Sequence, residues 1–181
     1  VSASQFALPF YPHPLRRNVA EFSHDRRYRY TLWRRAQWQR DGIATGGAGY
    51  VAFIGLNPST ADEATDDNTV RRCVRFARDW GLGDMCMLNL FAFRATDPRE
   101  MQAEAEPVGP DNDEWILRTA KGAQVVVAAW GFNGTYQERD QRVTRMLLDE
   151  GVRLYCLGRT KDGDPRHPLY VRADTLPEFY A

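Results

Sequence analysis

Lysine is nearly absent: Lys121 and Lys161 are the only two among the 24 basic residues of this 181-residue chain. Arg supplies the rest, and its planar fork favours bidentate contact with phosphate or carboxylate, although genomic base composition also enriches Arg without any function. The 24 Asp and Glu residues cancel this charge. A formal net charge of zero argues against a uniformly basic nucleic-acid binder and leaves room for a local patch. Cysteine is scarce as well. Cys73, Cys86 and Cys156 show no paired spacing, which argues against zinc fingers and disulfides and for buried, reduced thiols. No apolar run reaches the length of a membrane span and no charged-then-apolar leader precedes the fold, so a cytoplasmic protein with no membrane partner is expected. The opening Val1-Ser2-Ala3-Ser4 has no initiator Met. No internal repeat or low-complexity tract interrupts the chain. With 43% hydrophobic residues it has enough apolar surface for one sizeable core, and the expectation is a single α/β domain over residues 1–181.

What is present is an alternation of buried strands and amphipathic helices. Residues 1–25 read as an irregular arm, because Pro9, Pro12 and Pro14 forbid regular structure between residues 6 and 17. Residues 27–34 alternate, with Tyr28, Tyr30 and Leu32 on one face and Arg29, Thr31 and Trp33 on the other, which predicts a half-exposed edge strand. Residues 42–49 read as a flexible, glycine-rich connection. Thr65, Asp66 and Asp67 supply the cap and first-turn carboxylates of a helix running to Trp80, with Val70, Cys73, Val74, Ala77 and Trp80 at helical spacing. Further helices are expected over residues 111–121 and 137–150. The alternation predicts a mainly parallel central sheet between helices, a three-layer α/β/α sandwich with an added edge strand.

The run Val51-Ala52-Phe53-Ile54-Gly55-Leu56-Asn57-Pro58-Ser59-Thr60 carries the most information. A doubly buried strand ends there in a glycine turn, the place where an open α/β sheet puts its chemistry. Pro58 stops the ladder and holds Asn57 at the strand's carboxyl end. Later come Met85-Cys86-Met87-Leu88-Asn89, Val125-Val126-Val127-Ala128-Ala129-Trp130-Gly131, and Arg153-Leu154-Tyr155-Cys156-Leu157 followed by His167-Pro168-Leu169-Tyr170. Each delivers a polar or aromatic residue downstream of an apolar run.

This order resembles the uracil-DNA glycosylase superfamily, in which a Gly-x-Asn-Pro motif, a strand ending in Asn, a strand ending in Trp-Gly and a final His-Pro motif line one base-binding pocket. Gly55-Leu56-Asn57-Pro58-Ser59 is similar to the first motif of the mismatch-specific branch. The longer signature, with Asp66-Asp67, Thr69-Val70-Arg71-Arg72 and Asn89-Leu90-Phe91, resembles a bacterial family, domain of unknown function 1643, from about Tyr28 to Tyr170. The superfamily resemblance implies N-glycosidic cleavage, or a related reaction, in a base or modified nucleoside that is free or in single-stranded nucleic acid. Asn57 would position water, His167 would donate to a base carbonyl, and Asn89 would read the polar edge of the base. Gly55, Leu56, Pro58, Ser59 and Asp67 would frame the ligand with Trp130, while Arg71 and Arg72, one turn into the helix, could face a phosphate. The final motif departs from the DNA glycosylases, where it continues with Ser residues and a Leu-bearing loop that wedges into the duplex; here it is shortened to His167-Pro168-Leu169-Tyr170.

Other readings stay open at these positions. Trp130 also suits a core aromatic and Asn89 a strand-terminal turn, while His13, His24 and even His167 suit the surface. A binding module that kept the pocket without catalysis uses the same residues. Asp62, Asp66 and Asp67 follow the first motif closely enough to serve a metal-assisted hydrolase, whereas helix capping explains Asp66 and Asp67 with no metal. Arg71 and Arg72 could equally pair with Asp67 or Glu63. No cofactor is expected, and the expected ligand is a nucleobase, nucleoside or nucleotide.

Overall fold

The computed structural model describes residues 18–36, 38–40, 43–45, 49–59 and 61–181. The proline-rich stretch 6–17 with His13, the glycine-rich residues 46–48, Gly42 and Thr60 lie outside the described residues.

The elements follow in the order β1 (Asn18–Phe22), β2 (Arg29–Arg35), β3 (Trp38–Arg40), β4 (Ile43–Thr45), β5 (Tyr50–Gly55), α1 (Asn68–Asp79), β6 (Asp84–Asn89), α2 (Pro98–Ala103), α3 (Asn112–Gly122), β7 (Val125–Ala128), α4 (Arg139–Asp149), β8 (Leu154–Cys156) and β9 (Glu178–Phe179). Short 3-10 turns precede α4 at Phe132–Glu138 and follow β8 at Pro168–Tyr170. Seven strands form one mixed sheet in the order β1-β2-β6-β5-β7-β8-β9. Its centre, β6-β5-β7-β8, is parallel, and β2, β1 and β9 add antiparallel strands at the two sides.

Strand β5 is buried along its whole length because it is paired on both sides and covered on both faces. Alternation divides its residues between two apolar layers. Val51 and Phe53 pack with Val70, Cys73, Phe76 and Ala77 of α1. Ala52 and Ile54 pack with Ile116 and Ala120 of α3 and Val143 and Leu147 of α4. Helix α1 forms where its caps and apolar spacing place it, with the Asp67 carboxylate accepting from Val70 N at 2.8 Å. Its expected apolar stripe is buried or half-buried, and α3 and α4 begin and end within two residues of the expected bounds. The three cysteines are buried and unpaired, and burial raises each thiol above its ordinary pKa, which leaves them inert. Among the described residues no helix is long and apolar enough to cross a membrane.

Several expectations need correction. The irregular arm does not extend to residue 25: Asn18–Phe22 is β1, and its pairing with β2 occupies the outer edge. Strand β2 is therefore not an edge strand, and from Arg29 to Leu32 it is buried on both faces. The connection at 42–49 contains β4, which pairs with β3 in a separate two-stranded ribbon. Helix α2 lies in a stretch with no helical expectation, opened by an Asp97 cap and Pro98 at its first turn.

The strict alternation read for residues 27–34 also fails, for a definite reason. Glu21 pairs with Thr31 but Phe22 pairs with Arg29, so Tyr30 is an extra residue, a β-bulge. Leu32 packs beneath α1, whereas Tyr30 stacks on Trp115 of α3 at 6.2 Å, so the two do not share a face. The bulge turns Arg29 to the α1 side, where its guanidinium reaches the Ala61 carbonyl.

Candidate functional site

Because β5, β6, β7 and β8 are parallel, the segments that follow them emerge along one edge of the sheet, and a cavity of about 710 Å³ opens there. Asn57, Asn89, Trp130 and His167 all line it. That volume is in the range of small-molecule sites.

The first motif is held rigidly against the segment after β6. Leu90 N donates to Gly55 O at 2.9 Å, Phe91 N to Leu56 O at 2.9 Å, and Ala95 N to Pro58 O at 2.9 Å. The Asn57 amide nitrogen donates to Ala95 O at 2.7 Å and Pro58 O at 3.2 Å, which fixes the side chain. Its Oδ1 takes no hydrogen bond from a described residue and is left to accept from a ligand or water. Gly55 is required by close approach: a methyl group on it would stand 3.1 Å from Asn89 Oδ1 and crowd the amide. Gly55, Leu56, Ser59 and Asp67 line the cavity, while Pro58 stands behind it as a backbone acceptor.

Asn89 is 2% exposed, and its Nδ2 has no hydrogen-bond partner among the described residues. An amide N–H buried without an acceptor costs free energy unless a ligand supplies one, so this nitrogen is a donor in waiting. The backbone beneath it is pinned from α3 and α4. Asn112 Nδ2 donates to Asn89 O at 3.1 Å and Leu90 O at 3.0 Å, and Arg139 Nε donates to Leu90 O at 2.8 Å.

His167 caps the 3-10 turn that follows it, with Nδ1 accepting from Leu169 N at 3.4 Å. Nδ1 is thereby the acceptor of the neutral ring, which places the proton on Nε2. Burial holds its pKa below the ordinary 6.5, offset in part by the Asp67 charge. At neutral pH the ring is an uncharged donor. Trp130 is 2% exposed and meets Tyr180 edge-to-face at 5.9 Å, so it is at once a core aromatic and part of the cavity wall.

Arg71 and Arg72 do not reach the cavity. The Arg71 guanidinium turns back to Asp66 O and to Asn68 Oδ1, and Arg72 donates to Val171 O and lies over Phe76. Nor does either form the pairing with Asp67 or Glu63: Glu63 is taken by Arg26. The three carboxylates considered for metal do not converge. Asp62 accepts from Ala64 N and Thr65 N, Asp66 pairs with the buried Arg34, and Asp67 caps α1. Among the described residues no group of three His, Cys, Asp or Glu side chains is placed to hold a metal ion.

The cation that does line the cavity is Arg29, hidden in the sequence by the bulge that re-aims it. Lys161 and Arg166 line it as well, as do Phe132 and Tyr170, which are 70% and 79% exposed. Asn112 and Arg139, the buried braces of Asn89, carried no local signal, since their partners are 22 to 49 residues away in the chain.

No curated protein matches the chain, and no solved structure does. A family model matches residues 29–169, from the bulged arginine strand to the turn after His167, and spans every cavity-lining element described above except Tyr170. The chain therefore belongs to the family described as "Protein of unknown function (DUF1643)".

Proposed function

We propose that this protein binds a nucleobase, nucleoside or nucleotide in the cavity at the carboxyl ends of its parallel strands, and that it cleaves an N-glycosidic bond there. The proposal includes a uracil-DNA glycosylase-like α/β/α architecture. The observation that carries it is the convergence of Asn57, Asn89 and His167 on one cavity, with the Asn89 Nδ2 buried and unpartnered.

Glycosidic cleavage builds positive charge on the sugar and negative charge on the departing base, so its catalyst must stabilise both and place one water. Asn57, with its nitrogen tied to two carbonyls, presents Oδ1 to that water. The neutral His167 offers Nε2–H to a base carbonyl on which charge develops, and Asn89 offers Nδ2–H to the base edge. A fixed amide positions water without deprotonating it, so the reaction is expected to be slow. Phe132 and Tyr170 are exposed at the rim, where rings stack on bases of single-stranded nucleic acid. A nucleoside or single strand fits this rim better than a duplex, since the segment that would carry a wedge is shortened to Pro168-Leu169-Tyr170.

One observation favours a second reading, a binding module without catalysis: both Asn57 hydrogen bonds go to its own backbone frame, as in a residue kept for structure. Released base, scored over a panel of nucleosides and base-modified oligonucleotides, separates the readings. Turnover that Asn57→Ala abolishes, with ligand binding and melting temperature retained, supports the enzyme. Binding without turnover supports the module, and loss of binding and stability together makes Asn57 structural.

A further inference from the structure

We propose that Arg29 and Asn89 form a receptor for an oxyanion carried by the ligand, a ring carboxylate or a phosphate, inside the cavity. The inference rests on the nucleobase-binding reading and specifies the charge of the molecule that enters.

Arg29 is 2% exposed and lines the cavity. A buried guanidinium is costly unless its charge is paired and its N–H groups are used. Its Nη1 donates to Ala61 O at 2.6 Å, but among the described residues its Nε has no acceptor and no carboxylate lies within ion-pair distance of it. The contrast with Arg34 on the same strand is direct. Arg34, equally buried, pairs with Asp66 and donates to the Asp62 carbonyl as well. Strand β2 therefore carries one satisfied cation and one unsatisfied cation, and the unsatisfied one faces the cavity.

Burial lowers the Arg29 pKa to about 10, eased by the charge of Asp67, so the guanidinium remains protonated at neutral pH. Asp67 is already committed to the first turn of α1 through Val70 N. Among the described residues it is the only carboxylate in the cavity wall, against Arg29, Lys161 and Arg166, so this lining carries excess positive charge although the whole chain is neutral. Asn89 Nδ2, buried and without an acceptor, adds a second N–H. Two donors of this kind on adjacent strands match an oxyanion, which offers several acceptor oxygens, better than a single neutral carbonyl. A purely structural role for Arg29, as a strut to Ala61, would use Nη1 and leave both the Nε and the charge unexplained.

Calorimetric titration of the full chain tests this with paired probes: each of the four common ribonucleosides against its 5′-monophosphate, uracil against orotate, and inorganic phosphate alone. The charged member of at least one pair should bind about tenfold tighter or more. A gain with orotate assigns the oxyanion to the ring, and a gain with a monophosphate assigns it to the phosphate. Arg29→Met should bring the charged probe down to its neutral counterpart, and Arg29→Lys should keep part of the preference. If Arg29→Met does not fold, the wild-type comparison and Asn89→Ala, which should weaken the same preference, decide. Equal binding of charged and neutral members, or a preference that survives Arg29→Met, overturns the oxyanion receptor and leaves the nucleobase reading standing. Phosphate binding abolished by Arg29→Met, with no gain from any base, keeps the receptor and overturns the nucleobase reading. Binding of none of the probes overturns both.

Discussion

His167 couples the cavity to pH. Burial lowers its folded-state pKa below 6.5, so over the interval between that lowered value and 6.5 the unfolded chain takes up the proton that the folded chain refuses. Stability contributed by the neutral ring is complete above 6.5 and is lost as pH falls through this interval. His167→Asn should flatten the decline, because Asn keeps an acceptor for Leu169 N and does not titrate. Melting temperatures of both proteins between pH 7.5 and pH 5 check this, and an unchanged slope in the variant would assign the decline elsewhere. The motif carboxylates differ from one another in the same local way. Asp67→Ala removes one cap bond, at a cost of about 1 kcal/mol. Asp66→Ala strands the charge of Arg34, which is 4% exposed, and should cost more, about 2–3 kcal/mol given the carbonyls that still hold the guanidinium. Urea midpoints rank the two. Added magnesium should move neither the wild-type melting temperature nor theirs, and a magnesium shift abolished by Asp67→Ala would favour the metal-assisted hydrolase.

Strands and helices were legible wherever one periodicity governed a whole segment. Strand β5 reads as an unbroken apolar run because it is covered on both faces, and α1 declares itself through Asp67 and the spacing of Val70, Cys73 and Ala77. The glycine turn and the Asn and Trp-Gly strand ends mark the cavity for a related reason: a parallel sheet gathers its carboxyl ends on one edge. Strand β2 departs from a single period because a bulge interrupts it, and one extra residue at Tyr30 reverses the faces on either side. That reversal is what concealed Arg29, while Arg71 and Arg72 drew notice beside the motif and turn to other partners. Asn112 and Arg139 could not be read at all, since braces from α3 and α4 to the end of β6 exist only after folding. Asn112→Ala should leave the Asn89 carbonyl without that donor, cost about 1–3 kcal/mol, and weaken ligand binding without touching the ligand. Gly131 gives the corresponding test after β7. Its φ of 71° and ψ of −167° lie where an L side chain is strained, so Gly131→Ala should cost roughly 1–3 kcal/mol, read from the urea midpoint.

At the scale of the whole molecule, the end of the chain is tied to the wall of the cavity. Residues 178–181 run beside β8, with Tyr180 N donating to Leu154 O at 2.8 Å and Leu154 N to Ala181 O at 2.8 Å. This closes the β8 side of the sheet, a side that would otherwise expose unpaired backbone groups. The Tyr180 ring meets Trp130 edge-to-face at 85°, and Arg159 donates to the Tyr180 carbonyl and lies over its ring at 4.5 Å. Trp130 forms cavity wall on one side and receives Tyr180 on another, so the last strand supports the site without lining it. Tyr180→Ala should remove the edge contact and part of the apolar cover, costing about 1–2 kcal/mol. If Trp130 then loosens, ligand affinity falls although every cavity-lining residue is intact, and Tyr180→Phe, which keeps the ring, restores both stability and affinity. Urea melts and the same nucleoside titrations measure the two effects. A stability loss with unchanged affinity would show that Trp130 is held by its other neighbours and that the last strand serves only to close the sheet.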